Sequence, residues 1–144
     1  MIRYVSYNGA IGLDQLNWLD KTLQAASISK ERVLVFIHNP VHTDSCFNSG
    51  LVWNCEEIIS IFHKYIGIVI ACFSGHDHDG GYSIDDYGIH YIVLPAPLES
   101  DVGDKTFGII NFFDNRLEIK WEGRQAKTVQ NNLSWPPTTI KFWP

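Results

Sequence analysis

Ile66-Gly67-Ile68-Val69-Ile70-Ala71-Cys72-Phe73-Ser74-Gly75-His76-Asp77-His78-Asp79-Gly80-Gly81 is the stretch whose reading decides the fold. Ile66 to Phe73 is an all-apolar run interrupted only by Gly67, and it stops at Ser74-Gly75. That is the pattern of a strand buried on both faces, as in parallel sheets. Upstream, Val33-Leu34-Val35-Phe36-Ile37 repeats the pattern and is likewise expected to be buried on both faces. Between the two, Asn54 and Glu57 precede Ile58, Ile59, Ile61 and Phe62, a capping-box-like start to a helix that ends near Lys64. Strand, helix, strand in that order is a βαβ unit, for which parallel pairing and a right-handed crossover are the default. The fold class is therefore α/β with mixed α+β character.

Working outward, residues 1–12 read as a short extended piece ending in a loop marked by Asn8-Gly9 and Gly12. Leu13, Leu16, Leu19 and Leu23 recur at near-helical spacing and predict an amphipathic helix over 13–25, with Trp18 widening its apolar stripe. Beyond Gly80-Gly81 the character changes to short strands. Gly88 to Leu94 is one, and Phe107 to Phe113 pairs with Arg116 to Trp121 across Asp114-Asn115 as a hairpin. Residues 125–144 read as an irregular tail, packed if at all through Trp135, Phe142 and Trp143.

Composition narrows the function classes. The 144 residues fit one domain by size, and a 45% hydrophobic share allows a packed core. With 11 Lys+Arg against 16 Asp+Glu the formal charge is −5, which disfavours nucleic acid held on a basic face. An anionic substrate would be handled by bound cations instead. Cys46, Cys55 and Cys72 form no CxxC pair, so the expectation is a reducing, cytoplasmic setting without a disulfide framework. No apolar leader opens the chain, and no run approaches the roughly 20 residues needed to span a bilayer.

The histidines gather where ligands sit. His38 follows the first buried strand directly, and His76 and His78 follow the second. In an open parallel sheet the carboxyl ends of neighbouring strands share one crevice. Three imidazoles, good ligands for zinc, manganese or iron, thus converge there. Gly75 spares a side chain where the chain must turn sharply, and Gly80-Gly81 lets it turn again. Asp79 is placed to orient an imidazole from behind, whereas Asp77 reads as turn chemistry. His42 reaches toward the crevice or the surface, His63 sits near a helix C-terminus, and His90 alternates within a strand without needing a function.

His38-Asn39-Pro40 and Gly75-His76-Asp77-His78 resemble the late motifs of calcineurin-like metallophosphoesterases. More narrowly, the chain is similar to the C-terminal part of the manganese-dependent ADP-ribose/CDP-alcohol diphosphatases. The supporting segments are Asn8-Gly9 ahead of Asp14-Gln15-Leu16-Asn17-Trp18-Leu19, Val52-Trp53-Asn54, Asp79-Gly80-Gly81-Tyr82-Ser83 and Phe107-Gly108. The resemblance implies a partial domain over 1–124: the C-terminal half of a four-layer α/β/β/α sandwich, supplying one sheet, its two helices and a returning hairpin. It implies two divalent ions in the complete enzyme, manganese first and zinc or iron as alternatives. His38 and His76 would bind one ion and His78 the other. Tyr82, Trp53 and the loop from Cys46 to Gly50 would contribute substrate contacts, with a core aromatic as the competing identity of Trp53. The substrate would be a nucleoside-diphosphate-type small molecule.

The family's early motifs, Asp-x-His, Gly-Asp and Gly-Asn-His with a following acid, do not occur in this sequence. Their carboxylates and general acid are therefore lacking, and the chain by itself is expected to be inactive. It is expected to associate with a missing N-terminal half or with itself, because one face of the buried strands would lack its cover. The alternative is a non-enzymatic module in which His38, His76 and His78 close a single metal site.

Overall fold

The computed structural model describes residues 4–123 and 132–134. Helix α1 spans Leu13–Ser29 and α2 spans Cys55–Lys64. The strands are β1 Val33–Phe36, β2 Val69–Ser74, β3 Gly81–Ile84, β4 His90–Val93, β5 Phe107–Phe112, β6 Arg116–Glu122 and β7 Asn132–Ser134. They form a four-stranded sheet in the order β1-β2-β4-β3 and a three-stranded sheet in the order β5-β6-β7.

The βαβ unit forms as its sequence indicates: β1 and β2 are parallel, with Phe36 opposite Phe73. β2 and β4 are also parallel, and β3 returns antiparallel along β4. The Asp114-Asn115 hairpin forms as well, closed by the Phe113 N–H donating to the Arg116 carbonyl at 2.9 Å. Within the expected irregular tail, Asn132–Ser134 is extended and pairs with β6. Trp135, Phe142 and Trp143 lie outside the described residues.

The chain builds three layers. Leu16 and Leu23 of α1 and Ile58, Ile61 and Phe62 of α2 pack with Val69, Cys72 and Tyr91 on one side of the first sheet. Leu117 and Ile119 of β6 close on Ile70, Ala71, Phe73 and Ile92 on the other. Burial of these side chains removes them from water at about 25 cal/mol per Å² of apolar surface. The second helical layer of a four-layer sandwich is not formed by the described residues.

Three expectations change. First, β2 is buried at every position, so neither face of the central strands is bare. The exposed surface is instead an edge: β1 has no neighbour on its outer side among the described residues, its first three residues are only half-buried, and Phe36 is 67% exposed. A run as apolar as Val33–Ile37 marks a strand built for burial, and here its position at the margin leaves it partly uncovered.

Second, the buried stripe of α1 is Leu16, Leu23 and Ala26 with Leu19 beside it, while Leu13 and Trp18 are exposed. The helix also runs on to Ser29, where Lys30 in the left-handed region caps it with an N–H to the Ala26 and Ser27 carbonyls.

Third, Asn54 stands at the N-cap of α2 without bonding the first-turn N–H groups. Its amide clamps Ile11 instead, with Oδ1 accepting from the Ile11 N–H at 2.9 Å and Nδ2 donating to the Ile11 carbonyl at 3.0 Å. Nδ2 also reaches Glu57 at 2.9 Å. The residue that promised a capping box ties down the loop before α1.

Among the described residues no helix is long and apolar enough to cross a membrane.

Candidate metal centre

Parallel β1 and β2 end side by side, and their next residues carry the imidazoles. The Gly75 N–H donates to the His38 carbonyl at 2.9 Å, which holds the two strand ends in register. The His38 and His76 rings meet edge to face, with centroids 5.2 Å apart. The turn that achieves this bends at His76, whose φ is +67°, and not at Gly75. Gly75 has no positive φ, and a Cβ there would find only ordinary contacts, the nearest His38 Nδ1 at 3.9 Å. Backbone strain at a non-glycine residue costs of order 1 kcal/mol and collects at functional sites. We expect His76→Gly to be about 1 kcal/mol more stable than His76→Ala in urea unfolding, since both lose the imidazole and only alanine keeps the strained Cβ. Equal stabilities would mean that the turn stores no strain.

Burial, then repulsion from His38 and His78, lowers the His76 pKa from its ordinary value against the opposing pull of Asp77. His76 is thereby favoured as a neutral ring, the form that ligates. Cys46 lies nearby, within ordinary contact of a Cβ built on Gly50, as does the edge of the His76 ring. Burial, reinforced by Asp77, pushes its thiol up to about 12, so it remains a neutral thiol.

His78 has a different partner. Its Nδ1 is 3.0 Å from Glu99 Oε1, and half of its side chain is exposed. Among the described residues, no three His, Cys, Asp or Glu side chains gather so as to hold one metal ion. The single-site alternative therefore draws no support from the described residues. His38 and His76 are the two described imidazoles that one ion could share, and the described residues do not fit a whole binuclear centre.

Other expected site residues fall into different roles. Tyr82 donates or accepts at His90 Nδ1, 2.9 Å away, and its ring packs with the core beneath the hairpin. It is a packing residue, because alternation along β3 directs it to that face. His90, expected to need no function, serves as its partner. Trp53 packs against Tyr4 with ring centroids 5.9 Å apart, and its backbone N–H donates to the Gly9 carbonyl at 2.9 Å. Asp79 is exposed at the turn, and the acceptor His78 uses is Glu99. Asp77 does turn work: Oδ1 accepts from the Asp79 N–H and Oδ2 from the Phe47 N–H.

His42 takes neither role considered for it. It stacks on Tyr91 at 4.5 Å, with Nδ1 2.9 Å from the Ser83 hydroxyl. His63 bonds Asp85 at 2.9 Å and stacks on Tyr87 at the α2 terminus. Burial raises the Asp85 pKa, but bonds from His63, the Ile89 N–H, Tyr91 and the Tyr87 N–H outweigh it and leave the carboxyl below its usual range.

Two residues of the site escaped sequence reasoning. Glu99 sits in a short turn, Pro97–Glu99, with no spacing signal toward His78. Asn8 contacts His76 Nε2 at 2.6 Å from 68 positions away. The Asn8-Gly9 pair was a visible loop marker, but its reach into the crevice was not.

Adjacent parallel strands thus deliver His38 and His76 to one sheet end, between a helical layer and a second sheet. Comparisons with known proteins show what this arrangement is similar to. In fold the chain matches the crystal structure of a dimetal phosphatase from Danio rerio with a TM-score of 0.84 and 32% identity, over 93% of this chain and 41% of that one. In sequence it is 43% identical over 126 residues to the manganese-dependent ADP-ribose/CDP-alcohol diphosphatase of Arabidopsis thaliana, covering 88% of this chain and 40% of the relative. The human protein of the same name is 30% identical over 129 residues, covering 90% and 37%. No family model matches the chain. The chain spans about two fifths of the length of the curated relatives it matches.

Proposed function

We propose that residues 1–124 are the later half of a hydrolase domain that splits the phosphoanhydride bond of ADP-ribose or CDP-alcohols. The observation that carries this reading is the His38–His76 pair at the ends of β1 and β2. His38 and His76 would hold one divalent cation, manganese by analogy with the relatives' names, and His78 would serve a second. Two such ions, when bound about 3.5–4 Å apart, activate a water and neutralise phosphoryl charge. What this chain contributes is position. The crossed backbone bond at Gly75 fixes the strand ends, the His76 turn aims one ring at the other, and Glu99 holds His78. In the hydrolysis, water attacks phosphorus, the P–O–P bridge breaks, and two phosphate monoesters leave.

The exposed β1 edge supports a complement supplied by the rest of such a protein. An apolar cleft of about 290 Å³ lies on one side, lined by Phe36, Phe73, Leu94, Pro97, Phe107 and Trp121. A second, of about 160 Å³, lies on the other, lined by Trp18, Leu19, Val35, Phe36 and Phe62. A strand docking on β1 would place alternate side chains in both clefts, which also gives the exposed Trp18 a partner. We assign the complement to an N-terminal half carrying the carboxylate ligands. Self-association along the same edge is the competing outcome. Cys46, Cys55 and Cys72 form no disulfide among the described residues, in keeping with a reducing cytoplasm.

A chimera tests the reading. Residues 1–144 replace the matching segment of the Arabidopsis diphosphatase, and release of nucleoside monophosphate from ADP-ribose and CDP-alcohol is followed with manganese. The expected result is metal-dependent hydrolysis that His38→Ala or His78→Ala reduces by more than about 100-fold, since even residues behind metal ligands are worth 10–100-fold. A folded chimera without hydrolysis, or with hydrolysis indifferent to both substitutions, overturns it.

A further inference from the structure

Asn8 lies in the loop ahead of α1, in no regular element, and yet its amide is fully engaged. Nδ2 donates to the Leu51 carbonyl at 2.9 Å and to the Ser49 carbonyl. Those two oxygens fix which end of the amide is which, because a reversed Asn8 would set oxygen against oxygen. Oδ1 therefore faces the crevice, where it accepts from Asn39 Nδ2 at 3.2 Å and lies 2.6 Å from His76 Nε2. A carboxamide oxygen can only accept, so the hydrogen of that contact belongs to Nε2. A neutral imidazole carries one ring hydrogen, and Nδ1 is left with its lone pair free.

We propose that Asn8 is a positioning residue that fixes His76 in the Nε2–H tautomer, so that His76 presents Nδ1 to a divalent cation. Metal-bound histidines commonly donate their other ring N–H to an oxygen that sets tautomer and ring orientation. Here that oxygen comes from a loop stapled to Ser49 and Leu51, and Asn39, the neighbour of His38, shares it. One amide thereby links the loops bearing both imidazoles. The proposal rests on the reading of His76 as a metal ligand, but the tautomer does not depend on metal.

The test is long-range 1H–15N correlation of the histidine ring nitrogens in the 15N-labelled chain, at a pH where His76 is neutral. The wild type is expected to show a protonated Nε2 and an unprotonated Nδ1. Asn8→Ala should give a mixture of tautomers, because no amide oxygen then accepts the Nε2 hydrogen. Addition of millimolar zinc should then perturb Nδ1. A wild-type ring protonated at Nδ1, or already mixed, overturns the proposal even if zinc binds. An Nε2–H ring that zinc leaves unperturbed overturns instead the ligand reading of His76, and the positioning role with it. Because the wild-type spectrum decides the tautomer, the result survives a failure of Asn8→Ala to fold.

Discussion

Residues 1–144 supplied with manganese and ADP-ribose should release no nucleoside monophosphate above the metal blank, at least about a thousandfold below the Arabidopsis diphosphatase on the same substrate. The reason is the donor inventory of the crevice. His38 and His76 offer imidazole nitrogen to one position, His78 is turned to Glu99, and no third ligand joins the pair among the described residues. A binuclear centre acting on a pyrophosphate needs anionic ligands to hold two cations near each other against their mutual repulsion. An imidazole pair supplies none. Measurement of product by chromatography decides the matter, and robust turnover by a preparation holding only these residues would contradict the account.

Gly81→Ala should destabilise the fold by about 3 kcal/mol, as overpacking of a rigid site does. A Cβ on Gly81 would be driven into the Ser45 carbonyl, and that carbonyl has little freedom. Ser45 is buried, its N–H and hydroxyl both bond the His42 carbonyl, and His42 is held by Ser83 on the same strand as Gly81. The strain would be passed along Cys46 to Gly50, the loop whose Phe47 N–H bonds Asp77 and whose Ser49 carbonyl anchors Asn8. Loss of stability should therefore be accompanied by movement of the His76 ring resonances. Gly75→Ala is the control: its Cβ meets nothing closer than 3.9 Å, and the change should stay within about 0.5 kcal/mol. Urea unfolding of both variants checks the pair, and a Gly81→Ala chain as stable as the wild type would show that the loop yields freely.

What the sequence made legible is what leaves a periodic or local mark. The apolar runs around Val33 and Val69 and the helix between them prescribe parallel β1 and β2, and Asp114-Asn115 prescribes the hairpin. From that topology alone His38 and His76 arrive at one edge. The rest depends on contacts between distant positions. Strand β3 went unnamed because Gly81-Tyr82-Ser83-Ile84 is short and opens with glycine, and only its pairing to β4 makes it a strand. The resemblance points Tyr82 toward substrate and helical spacing puts Trp18 on the apolar stripe, but which face each presents is set by register and by what covers the sheet. Glycine is the usual occupant of the left-handed region, so the sequence points to Gly75 for the sharp turn, whereas the structure puts the positive φ at His76. Asn8 and Glu99 reach their histidines from 68 and 21 positions away, a separation that spacing cannot encode.

The central proposal is that His38 and His76 serve one ion and His78 another, and that the described residues complete a site for neither. Metal content per chain after equilibration with zinc and exhaustive dialysis tests it most directly. A closed zinc site uses four ligands, and an imidazole pair supplies two. The account predicts well under one zinc retained per chain, rising only when the complementary half is supplied. One zinc held stoichiometrically by residues 1–144 alone, and lost on His38→Ala, would contradict it.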